Sequence, residues 1–253
     1  MKIVSLNIWG GRERTPLLEF VTQEALSTDI FCFQEVFSGS TGSIMAALVE
    51  ALPGFECHFL PVIDSYDVNV GHLEGSRGGQ ALFIRKDIPV DSVGGRSVYG
   101  SFGKPFLLEG GLTMPAGLQH AVVKTSQGPR RVAHVHGLGR PGSKLDTLAR
   151  MEQSSSIVAF LSEQRLPTIL CGDFNLMPET ESIAMIERFP MRNLIKEFQI
   201  TDTRGAFNRK KYSLEELQFF ADYIFVSPEV VVRTFVVPEK TVSDHLPLIL
   251  ECE

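Results

Sequence analysis

The sequence is poor in the features that mark several protein classes. It holds 4 cysteines and 1 tryptophan in 253 residues. Cys32, Cys57, Cys171 and Cys252 are scattered, mainly through apolar strand-like runs, and no CxxC pair or Cys/His cluster has zinc spacing. A disulfide scaffold and a zinc site are therefore excluded, and buried free thiols are expected, with the cytoplasm as the expected compartment. No apolar run approaches the ~18 residues of a spanning helix. Lys2 is followed by a short apolar run already broken at Asn7, which does not fit a signal peptide. Basic residues are outnumbered 24 to 30, a net charge of −6, which argues against a broad basic face for nucleic acid but not against a local basic rim. Low-complexity tracts, short repeats and composition breaks are absent, so residues 1–253 read as one domain, expected to be a monomer without stable membrane association.

What is present is an ordinary globular composition, 43% hydrophobic and 21% charged, with mixed strand and helix signals. Strands are expected at Lys2 to Trp9, Ile30 to Phe33, 55–63, 80–86, 117–125, 130–136, Thr168 to Cys171, 222–226, 230–237 and 246–251. Helices are expected from Thr15 as cap with Pro16 at the first position, over Ser43 to Leu52, over 144–164 and around 179–188. Residues 64–79 lack periodicity and read as a long polar loop of functional interest. Several strand pairs have no helix between them, which favours mixed sheets over a βαβ barrel. Two facing sheets with helices outside, an α/β sandwich, would bury the doubly apolar strands.

Six apolar strands carry a polar residue at or beside one end: Asn7, Glu35, His136, Asp173 with Asn175, Asp222, and Asp244 with His245. One carboxylate at a strand end is usually a cap or turn residue. Six such ends are harder to dismiss, because a carboxylate set among Phe, Ile and Leu loses hydration unless a cation or donor compensates it. Oxygen donors without clustered His or Cys suit a hard ion, Mg²⁺ or Mn²⁺, better than zinc. Such an ion fits phosphoester hydrolysis. Asp173 and Asn175 are two apart and face the same side in an extended segment, so an acceptor and an amide could align a water.

The ordered set N-I-W-G-G, F-Q-E-V, V-H-G, G-D-F-N, A-D-Y-I-F-V-S and S-D-H-L-P-L resembles the endonuclease/exonuclease/phosphatase superfamily, the deoxyribonuclease-I-like fold, from Asn7 to Leu248. The resemblance implies a four-layer α/β sandwich, two mixed and mostly antiparallel sheets packed face to face with helices outside. It also implies roles. Glu35 would be the principal Mg²⁺ ligand, with Asn7 and Asp244 beside the metal. Asp173 would orient or deprotonate the attacking water and Asn175 would hold it or the phosphate. His245 would contact the scissile phosphate with Asp222 bonded to it, and His136 would bind phosphate or protonate the leaving oxygen. Gln80 falls where many relatives have a polar amide near the metal-binding glutamate, and Glu74 is several residues away from where some nucleases pair a glutamate with this histidine. A strand histidine with its hydrogen bonds satisfied is the alternative for His136, and core packing is at least as good a reading of Trp9 as substrate stacking.

Arg192, Lys196, Arg204, Arg209, Lys210 and Lys211 cluster before the Asp222 strand, against Glu197 and Asp202 only. Arg77, Arg140 and Lys144 lie in loops expected at the same edge. These cations could hold the non-scissile phosphates of a polyanion, with Phe207 and Tyr212 stacking a base or simply packing, although charge runs are usually solvated. The expectation is thus a Mg²⁺-dependent nuclease or phosphodiesterase of nucleic acid, with Arg77, Gln80, Arg140 and Arg204 binding substrate. A phosphatase or phosphodiesterase of inositol phosphates or lipid headgroups is the alternative, and a non-catalytic scaffold a minor one.

Overall fold

The computed structural model describes residues 1–39, 43–67, 71–211 and 218–253, with Lys211 described by its backbone alone. The first half of the chain runs β1 (Lys2–Asn7), a 3-10 turn at Trp9–Gly11, α1 (Arg14–Glu24), β2 (Ile30–Ser38), α2 (Ile44–Ala51), β3 (Phe55–Asp67), β4 (Gly71–Arg85), β5 (Val90–Tyr99), β6 (Phe106–Leu108), β7 (Gly111–Thr113) and β8 (Ala116–Thr125). The second half adds β9 (Gly128–His136), α3 (Leu148–Glu163), β10 (Thr168–Asp173), α4 (Glu181–Arg188), β11 (Arg192–Asn193), α5 (Leu194–Glu197), α6 (Ala206–Lys211), β12 (Asp222–Val226), β13 (Val232–Val236) and β14 (Leu248–Cys252).

Among the described residues the strands form two six-stranded sheets, ordered β13-β14-β1-β2-β4-β3 and β11-β12-β10-β9-β8-β5, with β6-β7 as a separate hairpin. Each large sheet has one parallel pair, β1 with β2 and β9 with β10, amid antiparallel neighbours. The parallel pairs lie face to face across the centre of the molecule. Strand alternation fills both sides of the first sheet. Ile3, Ile30, Cys32 and Leu82 belong to the core shared with the second sheet, while Val4, Leu6, Phe31, Phe33 and Phe83 pack with Leu17, Val21 and Leu48 of α1 and α2. Ile157, Phe160 and Ile183 of α3 and α4 join the core of the second sheet. The expected α/β sandwich with helices outside is what the chain forms.

Three expectations are corrected. Residues 64–79 are not a polar loop: Tyr66 pairs with His72 and Asp67 with Gly71 in an extension of the β3–β4 hairpin, and Val68, Asn69 and Val70 lie outside the described residues. Only a few of its side chains reach the core, Tyr66 among them, and most of the residues from Gly71 to Arg77 are polar or half-exposed, so no apolar alternation marks the segment. The helix expected over 144–164 begins at Leu148, where the Thr147 hydroxyl accepts from the Arg150 amide, and Leu145 and Leu148 are exposed. Thr15 and Pro16 lie inside the first turn of α1, whose N-cap is Glu13. The exposed, polar strand β5 and the hairpin β6–β7 were not foreseen. The four cysteines are free, three of them buried and Cys57 half-buried.

Candidate active site

Three neighbouring strands of the second sheet end together. Asp173 at the end of β10 lies beside His136 on β9 and beside Asp222 on β12. His134, two residues before His136, is bonded to Gln34 of the opposite sheet at 2.9 Å, so both histidines face the space between the sheets. Gly172 has φ +121° and its Cα faces the Val135 backbone so closely that a Cβ would lie 2.2 Å from the Val135 carbonyl oxygen, which is why glycine precedes the aspartate. From the first sheet, Ile3, Ser5 and Asn7 share a face, and Asn7 ends the strand at the cleft.

Glu35 arrives there differently. Simple alternation would turn it outward with Phe31 and Phe33. A bulge between Gln34 and Val36, with Glu35 at φ +56°, instead directs it into the cleft. A non-glycine residue in that conformation costs about 1–3 kcal/mol. The loop before β14 is fastened to β1 by Ser243, whose hydroxyl donates to the Asn7 carbonyl at 2.6 Å and receives the His245 amide at 3.3 Å.

The resulting cleft has a volume of about 680 Å³. The Asn7 amide donates to Asp173 Oδ2 at 3.0 Å and to Glu35 Oε1 at 3.2 Å, bridging the two sheets. The His136 Nε2 lies 3.7 Å from Glu35 Oε1 and 3.9 Å from Asp173 Oδ2, so these carboxylates face it, while Glu74 is exposed on β4. The His245 ring donates from Nδ1 to Asp222 Oδ2 at 2.8 Å, and its Nε2 lies 3.7 Å from Asp173 Oδ2. Asp222 therefore fixes the tautomer of His245. Arg204 donates to Asp244 Oδ2 at 3.1 Å and also meets His245 Nε2. Lys144 donates to Asn175 Oδ1, and the Asn175 amide donates to the Gly137 carbonyl at 3.2 Å.

Charge is unevenly settled in this cluster. Burial alone would raise Asp173, but His245, Lys144, His136 and Arg204 outweigh it and hold the carboxyl well below its ordinary range. Burial raises Asp222, with the ion pair to His245 opposing. For His245, burial and Arg204 act downward, but Asp222, Asp244 and Asp173 together raise it above an ordinary histidine. The Arg204 contact needs a free Nε2 lone pair whereas the three carboxylates favour the imidazolium; the net direction is upward, because three anions surround one ring.

Two groupings could hold a cation. Asp173, Asp222 and His245 offer ligand atoms within 4.8 Å of one another. Their hydrogen bond at 2.8 Å already occupies an oxygen and a nitrogen of that trio. Glu35 is different: among the described residues its Oε2 is buried without a hydrogen-bond partner, beside Asn7 and within the same cleft as Asp244. An orphaned buried carboxylate oxygen fits a hard divalent cation.

Other residues singled out in the sequence divide. Arg140 and Arg204 line the cleft. Arg77 does not, being paired with Asp64 at 3.3 Å on the exposed ribbon. Gln80 is fully buried behind Gln34, donating to the His134 carbonyl at 3.1 Å, and does not line the cleft. The basic run before β12 is largely neutralised: Arg192 pairs with Glu197, Lys196 with Glu187, and Arg209 with both Asp202 and Glu239. Tyr212 lies outside the described residues. Trp9 lines the cleft, 5.7 Å from the Phe207 ring. Tyr66, from the 64–79 segment singled out in the sequence, also lines the cleft, whereas Pro105, Leu112, Met114 and Pro115 were not foreseen. Their one signal is the pair of prolines bracketing an apolar hairpin.

The fold and the site together define a hydrolase of the α/β-sandwich class with buried acid groups at one edge of two sheets. The Endonuclease/Exonuclease/phosphatase family model matches residues 4–245, and the chain belongs to that family, whose members hydrolyse phosphoester bonds. Solved structures share the fold across the whole chain. A mannosyl-6-phosphatase from Bacteroides thetaiotaomicron is 20% identical with a TM-score of 0.73 and 99% of its chain covered. The human Nocturnin catalytic domain, with a bound sulfate, is 18% identical with a TM-score of 0.68 and 94% covered. A humanized D. rerio TDP2 is 13% identical with a TM-score of 0.69 and 98% covered. No curated protein matches the sequence.

Proposed function

We propose that this phosphoester hydrolase uses a divalent cation, Mg²⁺ or Mn²⁺, held by Glu35 with Asn7 and Asp244 beside it. The observation that carries this reading is the orphaned, buried Oε2 of Glu35 in a cleft shared with the Asp222–His245–Asp173 line. The bound ion would offset negative charge on the phosphoryl oxygens. Asp173, held anionic, accepts a hydrogen bond from the attacking water and aligns its oxygen on phosphorus. His245, oriented by Asp222, donates to a phosphoryl oxygen. As the water oxygen bonds to phosphorus its proton passes to Asp173, the bond from phosphorus to the leaving oxygen breaks with a proton from His136, and the proton on Asp173 then returns His136 to its starting state.

The substrate reading that the cleft supports best is a compact phosphoester, on the scale of a sugar, inositol or nucleotide phosphate. A long polyanion needs several unpaired cations along its track, and Arg77, Arg192, Lys196 and Arg209 are each held by a carboxylate. A nucleic-acid substrate remains the second reading, supported by the aromatic pair of Trp9 and Phe207 at the cleft. Hydrolysis of a panel of nucleotides, inositol phosphates, sugar phosphates, short DNA and RNA strands and lipid phosphodiesters under Mg²⁺ separates them. Faster turnover of strands than of every small ester would overturn the first reading.

A further inference from the structure

We propose that Lys144 grips the scissile phosphoryl group itself and is a catalytic residue, an inference that rests on the phosphoester-hydrolase reading above. Position along the sequence suggests only a rim cation for flanking phosphates. The structure places it inside: Lys144 is 8% exposed and lines the same cleft as Asp173 and His245.

The donor count carries the argument. A lysine ammonium has three N–H donors and no acceptor. Among the described residues its one hydrogen-bond acceptor is Asn175 Oδ1. Burying an ammonium with donors unmatched is costly, so the remaining donors call for a ligand. The partner is prepared as well. Lys144 can only donate and the Gly137 carbonyl can only accept, so the Asn175 amide has one orientation, with Oδ1 on Lys144 and Nδ2 toward Gly137. Among the described residues the Asn175 amide nitrogen has only the Gly137 carbonyl as acceptor, which leaves its second N–H unspent. Two residues lining one cleft thus present unspent donors, which suits the oxygens of a phosphoryl group.

The chain also maintains Lys144 against its own stability. Its backbone sits at φ +56°. Burial, with Arg204 and Arg150 nearby, opposes its charge, and Asp173 and Asp222 only partly compensate. The loop that presents it is held rigid: the buried Arg150 guanidinium donates to the carbonyls of Leu145 at 2.7 Å, Pro141 at 2.6 Å and Leu138 at 3.3 Å, and the Lys144 carbonyl accepts from Met177 at 2.9 Å. A rigid, unfavourable placement of a cation is what a fixed charge for a transition state requires. In the reaction water oxygen bonds to phosphorus, the bond to the leaving oxygen breaks, and Lys144 keeps its protons throughout. A monoester, whose phosphoryl group carries the extra negative charge, gains more from this ammonium than a diester.

The test has two independent readouts. Trp9 is the single tryptophan and lines the cleft, so its fluorescence reports inorganic phosphate binding in the presence of Mg²⁺. Wild type, Lys144→Met and Lys144→Arg are compared, together with turnover of 4-nitrophenyl phosphate and bis(4-nitrophenyl) phosphate and with the melting temperature. Lys144→Met is expected to weaken phosphate binding about 10-fold or more. It should lower monoester turnover about 100-fold, reduce diester turnover less, and leave Tm unchanged or higher, with Lys144→Arg recovering part of each loss. Phosphate binding by Lys144→Met equal to wild type, or absent from both, overturns the proposal, as does an equal fall for both esters accompanied by a lower Tm. Phosphate binding that depends on Lys144 in a wild-type protein that hydrolyses neither ester would overturn the hydrolase reading while the phosphate grip stands.

Discussion

The first sheet and its adjoining loop bring Asn7, Glu35 and Asp244 to the cleft; the second brings His136, Asp173 and Asp222, with His245 reaching across to join them. The two groups are settled very differently. On the second side each charge has a partner within the protein, as in the 2.8 Å bond between His245 and Asp222. On the first side Glu35 keeps a buried oxygen with no partner among the described residues, and Asp244 is satisfied by the guanidinium of Arg204. Under the proposed function the second half handles protons, and the first would take a cation at Glu35.

Breaking the second half should have the largest effect. Asp173→Asn is expected to lower turnover of the best phosphoester about 10³-fold or more, while leaving the Mg²⁺ concentration for half-maximal activity within a few-fold of wild type. Glu35→Gln, on the first half, should cost about 10²-fold, and should raise that Mg²⁺ requirement markedly. Steady-state assays across a Mg²⁺ series distinguish the two, and identical Mg²⁺ profiles for both variants would remove the distinction between the halves. Asp222→Asn should lower activity about 10²-fold, with an altered pH profile, because His245 would lose the anion that fixes its tautomer.

The same contrast occurs within one strand. His136 opens into the cleft, whereas His134 is fully buried, accepts or donates to Gln34 and Gln119 at 2.9 Å each, and is driven down to about 3 by burial and by His136. His134→Leu should therefore spare turnover and cost about 1–3 kcal/mol of stability, read as a lower urea midpoint. The smallest effect concerns pH. Burial lowers Lys144 from 10.5 to about 8, so the folded state binds that proton less tightly than the unfolded chain. The sign follows: the charged lysine costs stability below pH 8, and the cost disappears as pH rises toward 10.5. Relative to Lys144→Met, wild type should gain at most about 3 kcal/mol across that window. Parallel stability curves for the two proteins would contradict the assignment.

Much of this was legible in the sequence because it depends on local order. Apolar runs marked the central strands, and of the residues at their ends His136 and Asp173 line the cleft, while Asn7 and Asp222 are bonded to residues that line it. Other features depend on partners distant in the chain. Glu35 reaches the cleft only through a bulge against β4, which no periodicity reveals. The basic run before β12 looked available until Glu187 and Glu239 were found beside Lys196 and Arg209. Gln80 turned out to be a buried strut for the His134 backbone, and Lys144, apparently a rim residue, lies within. Pattern finds what a strand end carries; ion pairing and bulges decide what that residue can do.

The proposed cation at Glu35 is tested most directly by assaying wild-type protein on its best phosphoester from the panel, before and after EDTA and after restoring Mg²⁺. Activity should fall to that of Asp173→Asn with EDTA and return with Mg²⁺. Turnover unchanged by EDTA would contradict the account.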